Sequence, residues 1–501
     1  MNKMSKQKEI KDKILALSKE YSELVHKDNL SSRDTNKREW EVGMNIPYAG
    51  RVFDSNEVTA AISSTLDFWL TLGNEGKMME YELASFMGVH KTLLVNSGSS
   101  ANLVALSVLT SHKLPREKRL LPGDEVITVA AGFPTTVAPI IQNKAIPVFL
   151  DINPKTGNIN IENLENALSK KTKAVVLAHA LGNPFNILEI LKFCRRNNLW
   201  LIEDNCDALG CTYSMPKNLA ADLGFNKNSP GLNNDPKRIT RWTGTWGDIS
   251  TQSFYPPHHL TMGEGGAINI VNKPLLKKIA ESIRDWGRDC WCPSGIDNTC
   301  NKRFEWQLGE LPNGYDHKYT YSHLGYNLKP LDIQAAIGRQ QIKKLPEFIL
   351  QRKENWNRLR KGLSNLSEYF DFSLPTHSVD WSDNKFLWDE SECLTDCSWF
   401  GFMIRVKKNK FFNRTDLAKY LDKYKIGNRM LFGGNLLKQP AFVELKKSNK
   451  NAFRVVGSME GSDDVMNNAL FLGTFPGLTH KMIDYEISII QQFIDEVINI
   501  G

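Results

Sequence analysis

A chain of 501 residues, 41% hydrophobic and 24% charged, is too long for one compact core and predicts two domains with extensions. No stretch has the length and uncharged character of a membrane-crossing helix, and the net charge of +7 is dispersed among acids without a basic stripe. These features argue against a membrane protein and against nucleic acid as a partner.

The first segment, Met1 to about Arg38, mixes Lys and Glu with spaced apolar residues. It predicts an amphipathic helical extension over 1–40, because a signal peptide needs an uncharged apolar run. The expected location is therefore the cytoplasm. A large domain is expected over 41–345. There, Val- and Ile-rich runs such as TLLVN, DEVITVA, AVVLAHA and LWLIEDN alternate with helical stretches. That alternation predicts an α/β domain with a mostly parallel sheet, in which ligands bind beyond the strand carboxyl ends. Residues 213–240, rich in Asn, Pro and Lys, predict an inserted surface loop. A long charged helix from Gln341 to about Leu366 leads into a smaller C-terminal α+β domain, expected over 346–501.

Four motifs sit where the strands end. Asn96-Ser97-Gly98-Ser99-Ser100-Ala101-Asn102 opens a helix whose N-terminus could receive a phosphate, although Ser and Gly also serve as plain caps. Phe133, in Gly132-Phe133-Pro134, could stack on a flat ring or simply pack in the core. Glu203-Asp204 ends an apolar strand, where a carboxylate can pair with a pyridinium nitrogen or cap a helix. The fourth motif runs from Gly247 to Gly266 and contains Ser253-Phe254, then His258-His259, then Gly263-Glu264-Gly265-Gly266.

This order of motifs resembles the DegT/DnrJ/EryC/StrS sugar aminotransferase family, which implies an aspartate-aminotransferase-like fold (a fold type I pyridoxal-phosphate enzyme). In that family a serine–phenylalanine pair precedes the lysine that bonds the cofactor, and a Gly-Glu/Asp-Gly-Gly turn follows it. Read in that register the lysine position is His258, and a one-residue slip lands on His259. No lysine occurs from Thr240 to Asn272. The resemblance extends from Ile46 to about His480. It implies that Ser99, Ser100 and Ser253 hold the cofactor phosphate, that Phe133 stacks on the ring, and that Asp204 and Asp207 contact the cofactor. It also implies that Asn327 reaches the phosphate across a homodimer interface.

Imidazole cannot form an imine with an aldehyde, so covalent tethering of pyridoxal phosphate is not expected. The amine form, pyridoxamine phosphate, could be held instead, with His258 as the proton-transferring base. Such a site suits elimination of a hydroxyl next to a keto carbon, the ring serving as electron sink.

Eight cysteines in a chain of this length are not a disulfide framework, and clustered ones point to metal or redox chemistry. Cys290, Cys292 and Cys300 fall close together, and Cys206 follows the strand-end acids. By general spacing rules this set fits a [2Fe–2S] cluster, a structural zinc, or scattered thiols. With His258 it resembles the iron–sulfur, pyridoxamine-phosphate-dependent 3-dehydrases of nucleotide-linked 4-keto-6-deoxyhexoses, whose nucleotide is CDP. That likeness implies Cys206, Cys290, Cys292 and Cys300 as ligands of a [2Fe–2S] cluster. It further implies an NAD(P)H-dependent flavin/iron–sulfur reductase as electron donor and a place in 3,6-dideoxyhexose synthesis for lipopolysaccharide. The 213–240 insertion stretches the spacing after Cys206 and leaves Cys211 as a competing fourth ligand. Cys194, Cys393 and Cys397 read as structural. Arg429 could grip a substrate phosphate or be a structural surface residue, and Glu264 has no assigned role. Two other readings stay open: a cluster-free 3-dehydratase of the colitose type, and a non-catalytic scaffold.

Overall fold

The computed structural model describes residues 3–26, 40–292 and 295–500. The part of the expected N-terminal extension between 27 and 39 lies outside them.

Among the described residues, nine strands form between residues 91 and 270: β1 (Lys91–Val95), β2 (Glu125–Val129), β3 (Ile146–Leu150), β4 (Thr172–Ala178), β5 (Trp200–Asp204), β6 (Thr212–Pro216), β7 (Arg238–Trp242), β8 (Ile249–Ser253) and β9 (Gly266–Ile270). The central eight-stranded sheet has the order β1-β9-β8-β5-β4-β2-β3, completed at its edge by Arg454–Val455. β9 is antiparallel to both neighbours, and the other pairings are parallel. The sheet is buried on both faces, as period-two alternation requires. Val126, Val176 and Ile202 pack in one core cluster, while Ile127, Val175 and Leu201 pack in another. The mostly parallel α/β architecture expected from the alternating runs is therefore present.

Among the described residues up to 142, five helices form, α1 (Lys3–Val25), α2 (Ser55–Asp67), α3 (Asn74–Met87), α4 (Gly98–Val108) and α5 (Pro134–Gln142), of which α3, α4 and α5 pack against the sheet. The long charged helix spans Asp332–Gly362 and so begins earlier than Gln341. Its first residue explains the extension: the Asp332 carboxylate accepts from the amides of Gly73 and Gly76 at 2.7 and 2.8 Å, pinning the helix start to α3. Beyond it, Phe370–Phe372, Gly401–Val406, Ala469–Gly473 and Asn428–Met430 form a four-stranded antiparallel sheet around a separate aromatic core. Leu436, Phe442 and Phe453 return to the core of the large sheet.

The 213–240 segment is the exposed loop its composition predicts only over 223–237; its two ends are regular structure. β6 and β7 pair antiparallel and are joined by Leu394–Asp396 into a three-stranded sheet, with a helix at Lys217–Asp222. Tyr213, Met215, Phe225 and Ile239 carry apolar area into the core, which outweighs the turn-forming Asn and Pro between them. Among the described residues no helix is long and apolar enough to cross a membrane.

Candidate active site

A cavity of about 560 Å³ opens beyond the carboxyl ends of β2, β4 and β5, the place where such sheets bind ligands. The N-terminus of α4 forms one wall. Ser97 caps it, its hydroxyl accepting from the Ser100 amide at 3.1 Å, and Gly98 and Ser99 face the cavity. The free N–H groups and dipole of that helix end favour an anion. A Cβ on Gly98 would lie 2.6 Å from the Ser253 Cβ and 3.2 Å from the Cys206 Sγ, so the turn requires glycine. Ser253 lines the cavity beside it, whereas Ser100 does not and serves in the cap instead.

At the end of β5, Asp204 is buried, and its carboxylate accepts from Asn102 Nδ2 at 2.8 Å and Thr136 Oγ1 at 2.6 Å. Thr251 in turn donates to Asn102 Oδ1 at 2.7 Å. These fixed donors hold a buried carboxylate facing the cavity, which suits a pyridinium partner. Asn102 and Thr251 lie inside motifs legible in the sequence, but their roles, like that of Thr136, are not, because hydroxyl and amide residues on neighbouring elements carry no local signature. Phe133 lines the cavity, 53% exposed, its ring meeting Phe432 edge-on at 6.2 Å.

His258 also lines the cavity, at the loop after β8. Its ring lies 5.3 Å from that of Phe400, and its Nδ1 is 3.5 Å from Asp207 Oδ1. Burial, with a smaller push from Arg352 and against the pull of Asp204, lowers its pKa to about 4. It is thus neutral near pH 7. Asp207 is pushed up to about 8 by burial and by the charge of Asp204. The His258 loop is clamped from behind by Arg352, whose Nη2 donates to the carbonyls of His258 and Pro257 at 3.0 and 3.2 Å. Arg352 lies in the middle of a long charged helix, where sequence gives no reason to single it out. His259 turns the other way, its Nε2 2.5 Å from the Ser398 carbonyl. No lysine is among the described residues lining the cavity.

Arg429 reaches the cavity rim, its guanidinium 4.1 Å above the Tyr48 ring and donating to the Asn428 carbonyl at 2.7 Å. Glu264 lines the cavity as well. Asn327 does not; its side chain accepts from Lys329 at 2.8 Å.

The cysteines divide. Cys290, Cys292 and Cys300 line one small hollow together with His317. The Cys292 thiol is lowered to about 7: burial opposes this, but hydrogen bonding from Thr299 and Cys290 outweighs it. Cys206 instead lines the large cavity, where burial and then the charge of Asp204 push its thiol well up. Cys211 is buried and committed, donating to the Gly182 carbonyl at 3.0 Å and accepting from the Ser398 amide at 3.1 Å. Cys194, Cys393 and Cys397 are buried in apolar clusters. Among the described residues no group of three or more His, Cys, Asp or Glu side chains is arranged to hold a metal ion. The thiols therefore fit a four-thiolate cluster in kind but not in placement.

Residues 52–491 match the DegT/DnrJ/EryC1/StrS aminotransferase family model. The lipopolysaccharide biosynthesis protein RfbH of Salmonella typhimurium is 47% identical over 448 residues, 89% of this chain and 91% of that protein. The dTDP-4-dehydro-2,6-dideoxy-D-glucose 3-dehydratase of Saccharopolyspora spinosa is 43% identical over 446 residues, 89% of this chain and 86% of that one. Among solved structures, the Escherichia coli GDP-4-keto-6-deoxy-D-mannose-3-dehydratase with bound hydrated PLP superposes with a TM-score of 0.71 at 28% identity, covering 89% of this chain and 99% of its own. The fold is that of the fold type I pyridoxal-phosphate enzymes.

Proposed function

The chain belongs to the DegT/DnrJ/EryC1/StrS aminotransferase family, and from that premise we propose that it is a pyridoxamine-phosphate-dependent 3-dehydratase of nucleotide-linked 4-keto-6-deoxyhexoses, a lyase of deoxysugar synthesis for lipopolysaccharide. One observation carries the reading: His258, half-buried and neutral, lines the large cavity, with no lysine beside it among the described residues. Bound pyridoxamine phosphate supplies a primary amine for a substrate ketone and a ring that accepts electrons.

The residues divide the remaining work. Ser99, Ser253 and the α4 end would hold the phosphate, and Ser100 supports them through the cap. Asp204, fixed by Asn102 and Thr136, would pair with the ring nitrogen and favour its protonated form. His258 accepts a proton at neutral pH because burial keeps its imidazole uncharged. Asp207 stands behind its Nδ1, and Arg352 holds the loop so that the ring faces the cavity. Phe133 would cover the ring face, and Arg429 at the rim would meet the nucleotide phosphates. A second copy of the chain would bring Asn327 to the phosphate, which accords with Asn327 lying outside its own cavity.

The finer proposal is a CDP-linked substrate and a [2Fe–2S] cluster on Cys206, Cys290, Cys292 and Cys300, reduced by an NAD(P)H-dependent flavin/iron–sulfur reductase. Its support is the hollow shared by three of those cysteines. A cluster-free dehydratase is the second reading, favoured by the placement of Cys206 in the other cavity. The test is anaerobic turnover of CDP-, dTDP- and GDP-4-keto-6-deoxyhexoses with pyridoxamine phosphate, with iron and acid-labile sulfide measured on the same sample. Loss of water from the sugar is expected, fastest with the CDP substrate. Transfer of an amino group from glutamate to the sugar, without dehydration, would contradict the dehydratase reading. Iron and sulfide at well under one cluster per chain would favour the cluster-free one.

A further inference from the structure

α1 lies ahead of residue 52, where the family match begins, and contributes nothing to the cavity lining. It rests on α2 by a narrow inner edge: Ser22 is buried, Lys11, Leu15 and Ser18 are half-buried, and Lys11 Nζ pairs with Asp67 at 2.7 Å. Its apolar residues mostly face the other way. Ile10, Ile14, Leu17, Tyr21 and Leu24 are all exposed, the last three at 66, 65 and 71%. An amphipathic helix ordinarily turns its apolar stripe to the core, and α1 does the reverse. Single exposed apolar residues are common on protein surfaces, but a continuous stripe marks an interface.

The spacing says what covers the stripe. Steps of four, three, four and three residues from Ile10 to Leu24 follow the period of a two-helix seam, not of a single straight helix. With Ile14 and Tyr21 at a positions and Ile10, Leu17 and Leu24 at d, the flanking g positions are Lys13 and Glu20, and the e positions are Lys11, Ser18 and Val25. In an antiparallel pair g faces g. The register that stacks Ile14 on Leu17 of a second copy sets Lys13 opposite Glu20, twice by symmetry. In a parallel pair g faces e, so Lys13 would meet Ser18 and Glu20 would meet Val25, with no charge matched. Lys13 now contacts Glu9 at 2.6 Å, an exposed i,i+4 pair that is readily exchanged.

We propose that α1 is a self-association helix whose Ile10–Leu24 stripe packs antiparallel against α1 of a second copy of this chain. The contact is separate from any pairing of the catalytic bodies and does not depend on the dehydratase reading.

The test places the photocrosslinker benzoylphenylalanine at Leu17 of the full chain and mixes ¹⁴N- and ¹⁵N-labelled protein before irradiation. Mapping should give mixed-isotope pairs joining residue 17 to the segment 10–18 of the other copy. Lys13→Glu should lower their yield several-fold, and adding Glu20→Lys to it should restore the yield to within about twofold, with turnover unchanged throughout. No inter-chain product, products mapped to another surface, or a double variant that stays as low as Lys13→Glu would each overturn the proposal.

Discussion

In the proposed mechanism His258 stands as a base where a tether would be, and its surroundings decide whether it can serve as one. With its pKa lowered to about 4 by burial, the ring is neutral through the physiological range. The acid limb of kcat/KM should therefore fall near pH 4 and not near 6.5, which a pH–rate profile with stable substrate reads directly. His258→Asn keeps the ring-sized polar group and removes the base. It should cut dehydration by about 10²–10⁴-fold, while cofactor affinity by fluorescence titration changes little. Full activity in that variant would remove His258 from the mechanism. Gly98→Ala tests the opposite face of the cavity. Its Cβ would come within 2.6 Å of Ser253, so the loss should appear in cofactor affinity, roughly tenfold or more. Much of this was legible in the sequence, because Ser97 to Asn102, Glu203-Asp204 and Gly247 to Gly266 are local motifs whose spacing survives folding. Asn102 was inside one of them, yet its role as a donor to Asp204 depends on α4 lying beside β5 and shows only in the fold.

Elements were less legible where contacts from far along the chain override local preference. The helix at Asp332–Gly362 starts early because its N-terminal carboxylate caps α3, more than 250 residues away in sequence. β6 and β7 look like loop because their Asn and Pro lie between them, while the apolar residues that bury them are few and spaced. Arg352 belongs to the same class: in a charged helix it reads as solvent-facing, yet it is buried against the carbonyls of Pro257, His258 and Trp399. Arg352→Met retains the bulk of the side chain and frees the loop. It should lower kcat about tenfold through misplacement of His258 while leaving the cofactor dissociation constant near the wild-type value. An equal rise in that dissociation constant would assign Arg352 to binding instead.

At the scale of the whole molecule, the C-terminal part of the chain carries a charge problem of its own. Glu486 in the C-terminal helix His480–Ile500 is fully buried with neither oxygen hydrogen-bonded, and burial raises its pKa to about 8. A carboxyl raised in the folded state binds its proton there and releases it on unfolding. Its contribution is therefore fully present below the ordinary glutamate range and is lost as pH rises towards 8. Glu486→Gln should flatten that decline, leaving Tm at pH 8 about 1–3 °C above wild type and almost equal at pH 5. Identical pH dependence of Tm in the two proteins would show that the group is solvated.

Whether the cofactor is held without a covalent bond is settled most directly by incubating the wild-type chain and His258→Lys with pyridoxal phosphate, reducing with borohydride and measuring intact and peptide masses. Wild-type protein should emerge unmodified, and the lysine variant should gain one reduced cofactor at residue 258. A stoichiometric adduct on any lysine of the wild-type protein would contradict the free-amine mechanism.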